Sequence, residues 1–140
     1  MSFKPHEIDY LKSADLGRLA TIAPDGTLQN SPVGFTYNDA LGTIDVVGYR
    51  MSKSRKFRNL ATNNTVAFVV DDIASRTPWR VRCLEIRGTA EQSEAETGEG
   101  IETAIIRITP KRIISFGIDD IQTAPHELVP DSRDVPTTAD

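Results

Sequence analysis

The chain has 140 residues, 39% hydrophobic and 26% charged, with a net charge of −4, which is the profile of one soluble globular domain large enough to bury a core. Its single cysteine, Cys83, excludes an intrachain disulfide and a cysteine cage for a metal, and the net acidity argues against a general nucleic-acid binder. No apolar run reaches the ~18 residues that cross a bilayer, and the first six residues lack a signal-type apolar stretch, so a cytoplasmic protein with no membrane partner is expected.

The first expected element is a short helix over residues 5–14. Pro5 suits its first turn, Glu7 and Asp9 favour its start, and Ile8, Leu11 and Ala14 share a face. An apolar strand over 16–23 follows, ended by the turn signal Pro24-Asp25-Gly26. Val33, Phe35 and Tyr37 line one side of a second strand, and the Asp-Gly turn makes the two a hairpin. Pro32 and Gly34 are awkward inside a strand, since one lacks the N–H and the other a side chain. They suit an interrupted ladder or a flat ligand close to the backbone, and equally an edge strand with a bulge.

A turn at 38–42 leads to a third strand over 43–50. Residues 50–58, Arg-Met-Ser-Lys-Ser-Arg-Lys-Phe-Arg, carry five cations and no acid, so everything outside them sums to −9. A compact positive stretch in an acidic protein suits an anion. At a strand-to-helix junction, Lys53 and Arg55 can donate to phosphate oxygens, and Ser52 or Ser54 can cap the helix or donate a hydroxyl. A solvated basic helix face is the competing reading.

Phe57, Leu60 and Ala61 then recur at helical spacing up to Asn63-Asn64. Residues 65–70 are apolar on both faces and read as a central strand ended by Asp71-Asp72. Residues 73–80 are expected as a loop in which Trp79 packs on a ring system, meets a subunit, or anchors the loop to the core. A fifth strand spans 81–90, and a glutamate-rich solvated connection spans 91–102. Two last strands, 103–108 and 112–118, flank a turn at Thr109-Pro110-Lys111. The acidic tail, 119–140, is expected to be loosely ordered or laid over a partner. The total is a single domain over 1–140, mainly β with two or three short helices, folded as a small antiparallel barrel.

Catalytic side chains are not in view. His6 and His126 lie near opposite termini without metal-type spacing. Cys83 alternates within a strand as a core thiol. No GxSxG, GxxxxGK[ST] or GxGxxG motif occurs. Any chemistry therefore belongs to a bound cofactor.

The succession Leu16-Gly17-Arg18-Leu19-Ala20-Thr21, Pro24-Asp25-Gly26 and Pro32-Val33-Gly34-Phe35 resembles the opening of the pyridoxamine 5'-phosphate oxidase-like split-barrel flavoproteins. Lys53-Ser54-Arg55-Lys56-Phe57-Arg58-Asn59-Leu60 is similar to that family's phosphate-binding segment. Val69-Val70-Asp71-Asp72, Pro78-Trp79-Arg80 and Glu85-Ile86-Arg87-Gly88-Thr89-Ala90 resemble the branch using the deazaflavin coenzyme F420.

The resemblance implies a split β-barrel of the FMN- or F420-binding type, a homodimer with two cofactor sites at the subunit interface. Lys53, Ser54, Arg55 and Lys56 would take the cofactor phosphate. Ser31, Pro32, Val33 and Gly34, with Val47, Gly48 and Arg50, would lie against the ring system, and the partner subunit's Trp79 would approach it. The oligoglutamate tail of F420 favours further cations such as Arg58 or Arg80. No side chain is implied as catalytic and no metal is implied. The expected activity is that of an F420-dependent oxidoreductase passing a hydride to a small organic acceptor. The alternatives are an FMN-dependent enzyme of the same fold and a non-catalytic dimer that binds a cofactor or a tetrapyrrole.

Overall fold

A computed structural model describes residues 2–136. Helix α1 (Pro5–Ser13) begins where expected, with Pro5 in its first turn and the Lys4 N–H donating to Glu7 Oε1 at 2.8 Å. Leu11 is buried and Ile8 and Ala14 pack half-buried against the core, as expected, but Glu7 and Tyr10 are buried with them. The helix rolls this way because Glu7 finds an internal partner in Arg133.

Seven strands follow: β1 (Gly17–Ile22), β2 (Leu28–Asn38), β3 (Thr43–Val47), β4 (Thr65–Arg76), β5 (Trp79–Glu94), β6 (Ala104–Phe116) and β7 (Asp131–Asp134). Their order is β3-β2-β1-β4-β5-β6-β7, and β3 also pairs with β6, so the first six strands close an antiparallel barrel. Closure removes the exposed edges that an open sheet of this size would present. Leu19, Ile44, Val46, Phe68, Leu84 and Ile86 fill the interior. A second helix, α2 (Arg55–Asn59), connects β3 to β4 behind a short 3-10 turn, Met51–Lys53.

Seven strands were expected, but not these seven. Residues 73–80 are no loop: β4 and β5 continue as a ladder to Arg76 and Trp79 and turn through Thr77-Pro78. Past Val69, where pairing with β1 stops, β4 has β5 as its sheet neighbour, and the two strands form an arm. Cross-strand pairing of Asp72 with Arg82 supports its polar sequence.

The two last expected strands are one. β6 runs straight through Pro110, with Lys111 as the extra residue of a bulge opposite Arg87 and Gly88. A bulge is where a strand tolerates proline. The true seventh strand lies in the tail, where Arg133 pairs with Ile113. That part of the tail is therefore folded onto its own barrel; residues 137–140 lie outside the described residues. The third strand stops at Val47 rather than residue 50, and α2 stops at Asn59, leaving Ala61 exposed.

Candidate functional site

β2 changes neighbours between Val33 and Gly34. Leu28 to Val33 pair with β1, whereas Gly34 pairs with Val47 at the end of β3. Continuing the β3 register would set Gly48 opposite Val33 and Arg50 opposite Ser31. Instead the chain turns away into the 3-10 turn and tucks Met51 into the core at 1% exposure. Ser31, Pro32 and Val33 thus lie on a half-edge of the sheet, with β1 on one side and, among the described residues, no strand on the other. The strand carries no register shift here, so the interrupted ladder is the observed form and the bulge is not.

The departing chain builds a groove of about 410 Å³ lined by Gly48, Tyr49, Arg50, Lys53, Ser54 and Lys56, together with Met51. Among the described residues, Arg50, Lys53, Arg55, Lys56 and Arg58 make no ion pair, although Arg18, Arg82, Arg87, Arg107, Arg112 and Arg133 all do. An acidic protein has left its most basic stretch without a direct salt bridge, Glu102 being the acid near Arg50 and Lys53. That arrangement attracts an anionic ligand to a concave surface.

The helix contributes less than its sequence suggested. α2 has five residues, too short for a substantial macrodipole, so the side-chain cations carry the attraction. Ser54 caps it, accepting from the Phe57 N–H at 3.3 Å, while its own proton goes to the Met51 carbonyl at 2.6 Å. As placed, Ser54 orders the turn and has no proton left to donate to a phosphate.

Three side chains from elsewhere fix this irregular stretch. Asn59, 2% exposed, donates to Thr21 Oγ1 at 3.0 Å and Gln29 Oε1 at 3.3 Å, pinning α2 to β1 and β2. Gln92 donates to the Phe57 carbonyl at 2.9 Å. Glu102 accepts from the Ser52 N–H at 3.0 Å and the Ser52 hydroxyl at 2.7 Å. Those two hydrogen bonds, with Lys53 and Arg50 nearby, hold its carboxyl below the usual range. Sequence reading placed Asn59 in the phosphate-binding segment without its anchoring role and missed Gln92 and Glu102, because the partners lie 30 to 50 residues away and no local pattern announces such pairs.

The expected site residues do not all converge. Ser31 to Gly34, Val47, Gly48, Arg50, Lys53, Ser54 and Lys56 gather around the half-edge and the groove. Arg55 instead borders a separate cleft of about 420 Å³ with Arg58 and the β1–β2 turn. Trp79, 53% exposed at the tip of the β4–β5 arm, lines neither cavity. Cys83 is half-buried, and burial, helped by Asp71 and Glu85, pushes its thiol up to about 11, so it is no nucleophile at neutral pH. Among the described residues no group of His, Cys, Asp and Glu could hold a metal, and no helix is long and apolar enough to cross a membrane.

One atom tests whether a cofactor suits this place. Ser31 Oγ is buried and has no hydrogen-bond partner among the described residues. A buried orphaned hydroxyl costs roughly 1–3 kcal/mol, and this one sits in the half-edge segment of β2. A ligand with polar ring substituents and an anionic group matches both features.

Comparison with known proteins points the same way. Residues 4–118 match the family model described as pyridoxamine 5'-phosphate oxidase. A 5a,11a-dehydrotetracycline/5a,11a-dehydrooxytetracycline reductase of Streptomyces rimosus is 43% identical over 130 residues, covering 90% of this chain and 92% of its own. Among solved structures, a conserved hypothetical protein from Mycobacterium tuberculosis is 22% identical with a TM-score of 0.66, over 84% of this chain and 86% of that one. An F420 reductase is 24% identical with a TM-score of 0.57, over 77% of this chain and 94% of that one. These two structures establish likeness of fold.

Proposed function

The chain belongs to the pyridoxamine 5'-phosphate oxidase family, and from that premise we propose that it is an F420-dependent reductase of a small organic acceptor. The observation that carries the reading is the groove at Arg50, Lys53 and Lys56, whose cations make no salt bridge among the described residues, built by the chain that leaves β3 where β2 becomes a half-edge at Ser31 to Val33. In this reading Arg50, Lys53 and Lys56 hold the cofactor phosphate by charge-assisted hydrogen bonds. Ser31 Oγ and the unpaired backbone edge face the ring system. The chemistry such a cofactor supplies is hydride transfer. This chain's side chains bind, orient and exclude water, and none is needed as an acid or base. A second copy of the chain completes the pocket, with the partner's Trp79 covering the ring.

The reductase from Streptomyces rimosus supports reduction as the reaction and makes a dehydrotetracycline the first acceptor to try. FMN is the second reading, favoured by the same groove, since F420 and FMN share a tricyclic ring, a ribityl chain and a phosphate. Titrating purified protein with each cofactor separates the two. We expect F420 to bind more tightly, and reduced F420 to be consumed when 5a,11a-dehydrotetracycline or a related acceptor is added. Tighter binding of FMN with turnover would transfer the assignment to FMN. Binding of neither would sink both readings, and tight binding without turnover on a broad acceptor panel would make the protein a cofactor carrier.

A further inference from the structure

The basic stretch is intrinsically weak structure. A three-residue 3-10 turn and a five-residue helix cannot hold a fixed shape by their own hydrogen bonds. On the barrel side Asn59 anchors the far end. Met51 and part of Phe57 pack on the core, but beyond them an open crevice of about 540 Å³ runs between Ser52 and Phe57 on one wall and Gln92, Glu94 and Ala104 on the other. Two contacts bridge it, Gln92 to the Phe57 carbonyl and Glu102 to Ser52. Glu102 is the stronger bridge, because an ionised carboxylate accepts both the backbone N–H and the hydroxyl of one residue.

We propose that Glu102 is a positioning residue of the phosphate groove, acting through Ser52. It rests on the cofactor reading of that groove. Ser52 lies between Arg50 and Lys53, which both line the groove, whereas Ser52 faces the crevice. Holding Ser52 by two donors fixes the turn from which both cations reach the ligand. Glu102 is not itself part of the groove's lining. Its negative charge, close to Arg50 and Lys53, opposes anion binding, so its effect through geometry and its effect through charge have opposite signs.

Two neutral variants separate those effects. Glu102→Gln removes the charge and keeps an acceptor for Ser52, while Glu102→Ala removes both. FMN and F420 are each titrated against the full chain and its variants, at a temperature below every thermal midpoint. We expect Glu102→Gln to bind its cofactor at least as tightly as the parent, and Glu102→Ala at least threefold more weakly than Glu102→Gln. Ser52→Ala should weaken binding as well, and adding Glu102→Ala to it should cost less than Glu102→Ala costs alone, as coupled residues do. A ratio below threefold between the Ala and Gln variants overturns the positioning role. If Lys53→Ala with Lys56→Ala still abolishes binding in that case, the groove reading stands and Glu102 alone is acquitted. If the parent binds neither cofactor, the groove reading and the role of Glu102 fall together.

Discussion

Arg133 of β7 and Glu7 of α1, 126 residues apart, meet in an ion pair at the barrel wall, with Arg133 Nη1 donating to Glu7 Oε2 at 3.1 Å. Glu7 is fully buried, and Ser115 on β6 donates to the same carboxylate at 2.6 Å. A further Arg133 N–H reaches the Ser2 carbonyl at 2.8 Å. The pair joins the N-terminal helix, the long strand β6 and the acidic tail into one unit.

Removing one partner strands a buried charge. Arg133→Ala should destabilise the fold by about 3–5 kcal/mol, the usual cost of breaking a buried pair. The midpoint and slope of urea unfolding measure it. A loss below 1 kcal/mol would mean that the tail is not docked as described.

Acid should attack the same contact. Burial alone would raise the Glu7 carboxyl, but hydrogen bonds from Arg133, Ser115 and the Lys4 N–H more than offset it and hold it below its ordinary 4.5. Asp45 behaves alike: burial opposes, and Arg107, Asn38 and Thr43 prevail, keeping it below 3.8. A carboxyl lowered in the folded state stabilises above its unfolded value and loses that stability as pH falls through its folded one. Urea midpoints should therefore be level above about pH 5 and fall below about pH 4. In Arg133→Gln the fall should be shallower, because burial then raises Glu7 instead.

Cations of the groove should matter to binding and not to folding. Lys56→Ala should weaken cofactor affinity by ~1.5–3 kcal/mol, the scale of a charge-assisted hydrogen bond. Lys53→Ala with Lys56→Ala should weaken it further and flatten its dependence on salt. Isothermal titration at two ionic strengths measures both. An unchanged dissociation constant in the double variant would reassign the stretch to a solvated face.

Gly88 is held by a close backbone approach. A Cβ built there would lie 2.1 Å from the Thr109 carbonyl oxygen, at the bulge where β5 crosses Pro110. Gly88→Ala should lower stability by about 1–3 kcal/mol, as overpacking does. A thermal midpoint equal to that of the parent would show that the bulge can slide.

A second copy of the chain should complete the pocket. Tyr49 on the groove and Trp79 on the arm are 74% and 53% exposed in the single chain, and a subunit interface would bury such large rings. Light scattering after size exclusion should give twice the 15.4 kDa chain mass. A monomer that still binds the cofactor would contradict the shared pocket.

Much of this was legible in the residues because it is local. The α1 start at Pro5, the Asp25-Gly26 hairpin turn and the apolar central parts of β1 to β5, though not the arm at 73–80, follow from periodicity and turn chemistry within a few positions. The five cations of residues 50–58 also declared themselves locally, as did the misfit of Pro32 and Gly34 inside a strand.

Other features depend on groups that meet only in three dimensions. Pro110 looks like a strand end until Gly88 offers it a bulge. The tail looks unstructured until Arg133 finds Glu7. The half-edge at Ser31 exists because β3 peels away after Val47, and that departure is set by Met51 reaching the core. Charge alone pointed to an anion at residues 50–58, with Lys53 and Arg55 as its donors. Packing decided the groove's shape, sent Arg55 to another cleft, and gave Glu102 the task of holding Ser52. Local propensity acts over one or two turns of chain, whereas burial and buried-charge pairing act on whatever the closed barrel brings together.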